Sequence, residues 1–215
     1  MPNYKILTDS GCDLPLAMRQ QMDLQMVSLV LHFKGQDLPD SVSDEIRDFY
    51  AELRAGEVAS TAAVNPEDWR SAIEPVLQEG KDALVVTFSS GLSTTYQSAL
   101  IAADELGEQY PQRRIRVVDG LCASLGQGLL MWYACQKRDE GLELDGLVSW
   151  LEENKGNLCQ WFTVDDLMYL KRGGRVSAAT ALVGTMLGIK PVLHVDEEGR
   201  LINVGKVRGR KASID

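Results

Sequence analysis

Apolar residues along this chain follow two rhythms, short continuous runs and stripes spaced three or four residues apart, and the two alternate. The runs at residues 4–8, 85–88 and 115–118 have the pattern of strands buried on both faces. Each ends in small or acidic residues: Asp9, Ser10 and Gly11 after the first, Ser89, Ser90 and Gly91 after the second, Asp119 and Gly120 after the third. Helical spacing then resumes. It predicts a helix over residues 15–22 with Asp13 as its cap and Pro15 in its first turn, one from near Thr94 capped by Ser93, and one over about 124–138. Strand, polar loop and helix repeated in this order predict a parallel α/β sheet, whose loops gather at the carboxyl ends of the strands.

Residues 26–31 alternate loosely enough for a strand closed by Gly35, and Ser43 is placed to cap a helix reaching Leu53 with Ile46, Phe49, Tyr50 and Leu53 as its buried stripe. A loop over 60–64 carries Thr61 just ahead of Asn65-Pro66, a cap and proline that open a helix reaching Leu77. A helix over 144–153 leads to Lys155-Gly156-Asn157, the best candidate boundary. Beyond it the pattern predicts a strand over 158–164, a short helix over 165–170, a basic glycine-hinged loop over 171–175, and a helix over 177–187. A hairpin of 189–195 and 201–207 around a five-residue turn completes it. The expected fold is α/β, with a parallel-sheet N-terminal domain over 1–156 and a smaller α+β domain over 157–215 that has antiparallel strands. Its few strands leave a sheet edge unpaired, so this second part reads as incomplete at the C-terminus.

Composition narrows the function classes. The 215 residues are 45% hydrophobic and 25% charged, without a membrane-length apolar run or a signal-peptide pattern, so a cytoplasmic location is expected. Cys12, Cys122, Cys135 and Cys159 lack metal-ligand spacing and only His32 and His194 are available to join them, so free thiols and no metal site are expected. A net charge of −9 argues against nucleic-acid binding, although the last 46 residues carry nine Lys or Arg against four Asp or Glu.

The candidate chemistry lies in residues 85–98. The hydroxyls of Ser90, Ser93, Thr94 and Thr95 surround a helix start whose free N–H groups and dipole suit a phosphate or carboxylate. Two enzyme readings compete with a binding site. Gly91-Leu92-Ser93-Thr94-Thr95 approaches the nucleophile elbow of a serine hydrolase but lacks its last glycine, and neither histidine follows an acid in the required order. A nucleotide-binding phosphotransferase would use the same turn, yet Gly126-Gln127-Gly128 has no third glycine and no Walker lysine follows Ser93.

Seven ordered segments carry a resemblance: residues 8–15, 60–66, 89–99, 117–128, 173–177, 189–191 and 206–211. Together they resemble the DegV family of bacterial fatty-acid-binding proteins. The resemblance implies a two-domain α/β carrier, not itself an enzyme, that holds a long-chain fatty acid between its domains and needs no cofactor. It further implies that the acid's carboxylate is presented to a separate fatty-acid kinase subunit, the FakB role, with at most transient membrane contact. Matched position by position, Thr61 and Ser93 are the implied carboxylate ligands, with Ser90, Thr94 and Arg175 in support. Hydroxyl donors suit a carboxylate without forming an ion pair that would resist phosphoryl transfer. Met26, Leu29, Met186 and Leu187 are candidate tail-lining residues. The chain departs from the family pattern at Ala62-Ala63, Thr94 and Gly120, and the family's C-terminal segment, with its glycine-flanked histidine, has no counterpart in these residues.

Overall fold

The computed structural model describes residues 3–40, 46–177 and 188–215. Strands β1 (Tyr4–Asp9), β2 (Gln25–Val27), β6 (Asp82–Thr87) and β7 (Ile115–Asp119) form a sheet of order β2-β1-β6-β7 in which every pairing is parallel. Period-two alternation sorts the central side chains onto two faces. Ile6, Leu84 and Val86 pack against α5 (Leu125–Asp139) and α6 (Leu144–Asn154) through Leu130, Met131, Leu147 and Leu151. Leu7, Ala83 and Val85 pack against α3 (Pro66–Gln78) and α4 (Thr95–Gln109) through Trp69, Ile73, Ala102 and Leu106. β6 is buried along its whole length, as a central strand covered by helices on both sides must be.

Two antiparallel sheets flank this core. The first has the order β4-β3-β5, made of β3 (Val30–Phe33), β4 (Gln36–Pro39) and β5 (Ala59–Ala62). Lys34 and Gly35, both with positive φ, make the tight hairpin between β3 and β4. The single strand expected over 26–31 is therefore two strands in different sheets. They part at Ser28-Leu29, where the Leu29 N–H donates to Ser10 Oγ (3.0 Å) and the Ser28 hydroxyl donates to Asp40 O (2.9 Å). Thr61 lies on β5, paired with Leu31, rather than in a loop. Helix α2 (Ile46–Ala55) covers the small sheet, with Phe49 edge-on to Phe33 at 5.1 Å. Its stripe is only half-buried and Tyr50 is exposed, because a three-stranded sheet is too small to enclose it. Its expected cap, Ser43, lies outside the described residues.

The third sheet has the order β10-β9-β8, from β8 (Trp161–Phe162), β9 (Ile189–Val195) and β10 (Leu201–Arg208), with a bulge between Asn203 and Gly205. The expected hairpin forms around residues 196–200. The expected strand over 158–164 shrinks to two residues. The Gln160 side chain is drawn to the loop after β7 instead, accepting from Ala123 N (3.1 Å) and donating to Leu121 O (3.3 Å). Helix α7 spans Met168–Arg172, starting later than expected because Asp166 Oδ1 accepts from Met168 N at 2.8 Å. The helix expected over 177–187, with Met186 and Leu187, lies outside the described residues beyond Ser177.

Two expected caps are corrected. Asp13 sits in left-handed backbone (φ 53°) and accepts from the Ser124 hydroxyl, and Pro15 precedes α1 (Leu16–Gln21) without a side-chain cap. Thr94, not Ser93, immediately precedes α4, although Ser93 Oγ still takes the Thr95 N–H at 3.2 Å. The three buried cysteines and exposed Cys159 are all free thiols.

Candidate functional site

The carboxyl ends of β1, β6 and β7 open into a cleft of about 830 Å³, roofed by the small sheet on one side and the third sheet on the other. Gly11, Phe88 and Ala123 form its floor, and Leu29, Thr61, Trp161, Phe162, Tyr169 and Arg175 are among its walls. The lining is mostly apolar, and Leu125 and Leu129, one turn apart on α5, turn toward the cleft rather than the core and stay exposed. Leu29 joins the lining as expected; Met26 packs against the core and borders a separate cavity of about 570 Å³ under β2 to β4.

At one end the cleft shares Thr61, Ala63, Leu92, Ser93 and Arg175 with a polar pocket of about 440 Å³. Thr61, Ser90, Ser93, Thr94 and Arg175 all line that pocket, so five residues from β5, the β6–α4 turn and the loop after α7 meet at one place. The Thr61, Ser90 and Thr94 hydroxyls bond no other described residue. Ser93 Oγ accepts from Thr95 N and shares a 2.9 Å bond with the buried Thr95 hydroxyl. When Thr95 Oγ1 is the donor in that bond, the Ser93 proton is left for an outside acceptor. Tyr96 and Gln97, in the first turn of α4, have N–H groups with no acceptor among the described residues, so the positive end of a 15-residue helix faces the pocket.

The opposite electrostatic character appears elsewhere in the cleft, where Asp13 and Asp40 reach the lining. Burial, with the Asp40 charge nearby, raises the Asp13 carboxyl above its ordinary range. An anionic head group is therefore repelled at that side and favoured at the end with hydroxyls, free N–H groups and Arg175. Arg175 Nε donates to Leu92 O at 3.1 Å and Nη1 donates to Gly173 O, and no carboxylate of the described residues pairs with it.

Residue-type reasoning passed over Asp9, which anchors the floor. Its Oδ2 accepts from Phe88 N (2.7 Å), and Oδ1 accepts from Gly11 N (3.0 Å) and Gln127 Nε2 (3.2 Å). Burial, outweighing these donors, pushes its carboxyl up to about 6. A lone aspartate at a strand end was the only signal in the sequence. Neither histidine lines the pocket: His32 pairs with Asp37, and His194 stacks edge-on against Trp161. Ser93 thus has no imidazole beside it to act as a base. Among the described residues there is no cluster able to hold a metal ion, and no helix is long and apolar enough to cross a membrane.

Comparison with known proteins agrees with this architecture. The chain is 43% identical over 216 residues to a DegV domain-containing protein of Clostridium perfringens, covering 100% of this chain and 74% of that protein. Its fold superposes with a TM-score of 0.83 on a fatty-acid-binding DegV family protein from Thermus thermophilus, at 32% identity over 98% of this chain and 74% of that one. The TM-score is 0.85 on the B3 protein of Streptococcus pneumoniae fatty acid kinase, solved with linoleic acid, at 27% identity over 100% of this chain and 75% of that one. With the family's own sequence pattern matched over residues 3–215, the chain belongs to the DegV family.

Proposed function

We propose that this protein binds a long-chain fatty acid, with the carboxylate held by Thr61 and Ser93 and the tail lying along the apolar cleft. The observation that carries the reading is the joining of two unlike spaces: a cleft of about 830 Å³ with mostly apolar walls, ending in a pocket of hydroxyls and free helix N–H groups. Each buried methylene contributes about 0.8 kcal/mol, so a long tail outweighs the dehydration of its head. Ser90, Thr94 and Arg175 support the head group, and Arg175 leaves the site with positive charge. The pocket opens to solvent beside the carboxylate, which suits presentation of the acid to a separate fatty-acid kinase subunit that carries out the chemistry. Residues 1–156 supply the floor, the small-sheet wall and the hydroxyls of the head-group pocket, 157–215 supply Arg175 and the cover on the other side, and the carrier works in the cytoplasm. Relatives that bind fatty acids support the same reading.

Protein purified without added lipid should release fatty acid on solvent extraction, identified by mass spectrometry. Delipidated protein should bind palmitate at least about ten-fold more tightly than methyl palmitate, the factor expected for one hydrogen bond to a charged group. Thr61→Ala should remove most of that preference with unchanged thermal stability, since Thr61 is exposed and its hydroxyl holds nothing else among the described residues. Equal binding of acid and ester by the wild type would overturn the head-group assignment.

A further inference from the structure

Ser89 is fully buried and every polar atom it owns is engaged. Its N–H donates to Cys122 O (3.0 Å), and its carbonyl accepts from both Leu92 N and Ser93 N (3.1 Å each). Its hydroxyl accepts from Gly91 N (3.1 Å) and donates to Gly199 O (2.8 Å). The turn that presents Ser93 is thus wound around Ser89, and Ser89 in turn is tied to the tip of the β9–β10 hairpin, 110 residues away in the chain.

The fit there is close. A Cβ at Gly199, whose φ is +71°, would stand 2.0 Å from Ser89 Oγ, and one at Gly91 would stand 2.7 Å from Glu198 O. The hairpin tip is itself braced, because Asp196 Oδ1 accepts from Glu198 N (3.0 Å) and Arg200 N (2.8 Å) while Gly199 N donates to Asp196 O (3.0 Å). Arg175 Nε grips the same turn from its other side through Leu92 O. A braced tip seated on a glycine-lined turn holds the backbone that carries Ser93, whose N–H donates to Ser89 O.

We infer that Ser89 is a positioning residue, through which the β9–β10 hairpin holds the Ser93 turn in the geometry that accepts a carboxylate. The inference rests on the fatty-acid reading above and adds a means of control: displacing the hairpin tip, residues 196–200, none of which lines the tail cleft, releases the head-group turn. Specificity for an acid over a neutral lipid is then set by a contact that touches no ligand atom.

The test compares palmitate and methyl palmitate on delipidated wild type, Ser89→Ala and Gly199→Ala by titration calorimetry, with circular dichroism to follow folding. Ser89→Ala leaves Gly91 N and Gly199 O without their partner, and Gly199→Ala forces the tip off the turn. Both variants should lose about ten-fold in affinity for the acid while affinity for the ester stays within about two-fold, so that the acid preference collapses. A purely structural role would weaken both ligands alike. Gly199→Ala, which leaves Ser89 unsubstituted and acts from the hairpin side of the contact, decides the matter if Ser89→Ala fails to fold. Full acid preference in the folded variants would overturn the positioning role and leave the head-group reading standing, whereas a wild type without acid preference would overturn both.

Discussion

Acidification from pH 7.5 to 4 should stabilise the wild type relative to an Asp9→Asn variant, and the size of the effect follows from the burial of Asp9. Its carboxyl titrates at about 6 in the folded protein against 3.8 for a free aspartate, so the folded state binds the proton more tightly. Stability from this group therefore increases as pH falls through 6 and levels off below about 4, the reverse of a salt-bridged aspartate. Each pH unit of displacement corresponds to 1.36 kcal/mol, which makes the gain about 2–3 kcal/mol by pH 4. The asparagine of the variant does not titrate. Its oxygen can still take the Phe88 N–H, and its amide can meet the buried Gln127 Oε1, which has no partner among the described residues of the native protein. Denaturant unfolding of both proteins at half-unit pH intervals, followed by circular dichroism, reads the difference directly. Parallel curves would mean that Asp9 does not titrate in this window. A wild type that loses ground as pH falls would mean that the three N–H donors outweigh burial, refuting the electrostatic account of the floor.

Two further outcomes test the packing and the cleft. Gly128→Ala should destabilise by about 1–3 kcal/mol despite alanine's better helix propensity, lowering the melting temperature by several degrees, because the new Cβ would stand 2.8 Å from Cys12 O and 3.0 Å from Leu14 Cδ2; an unchanged or higher melting point would contradict the close contact of α5 with the β1–α1 loop. Native protein should expose one thiol of four to a disulfide reagent, Cys159, since burial raises the Cys12 and Cys135 thiols to about 11 and Cys122 to about 12. Saturation with palmitate should slow that reaction because Cys159 lines the cleft, and an unaltered rate would place the lipid elsewhere.

Much of this was legible where residue type and position both speak. The runs ending in Asp9, Ser89 and Asp119 gave three parallel strands, and the alternation of 189–195 with 201–207 gave the hairpin and its turn. The five polar residues implied by the family resemblance do line one pocket. Other features escaped because their cause lies outside the local sequence. Ala59–Ala62 has no alternation to mark it as a strand, and it becomes one by pairing with β3. Asp13 has the composition of a cap, yet the Ser124 hydroxyl, 111 residues later, takes it. Leu125 and Leu129 look in sequence like Leu130 and Met131, because a wall of a lipid cleft and a hydrophobic core are written in the same residues.

The placement of β1 at the centre of its sheet has a consequence for biosynthesis. β1 pairs with β6, and the Thr8 hydroxyl bonds Val86 O across 78 residues of chain. At typical translation rates of 5–20 residues per second, β1 waits roughly 4–16 seconds for that neighbour to be made. During that time Tyr4, Ile6 and Leu7, destined for burial at no more than 5% exposure, have only the three-residue edge strand β2 to pair with. The nascent chain is thus most vulnerable to misassociation before β6 is synthesised, and a pause in translation ahead of residue 82 would lower the yield of folded protein more than one placed after β7.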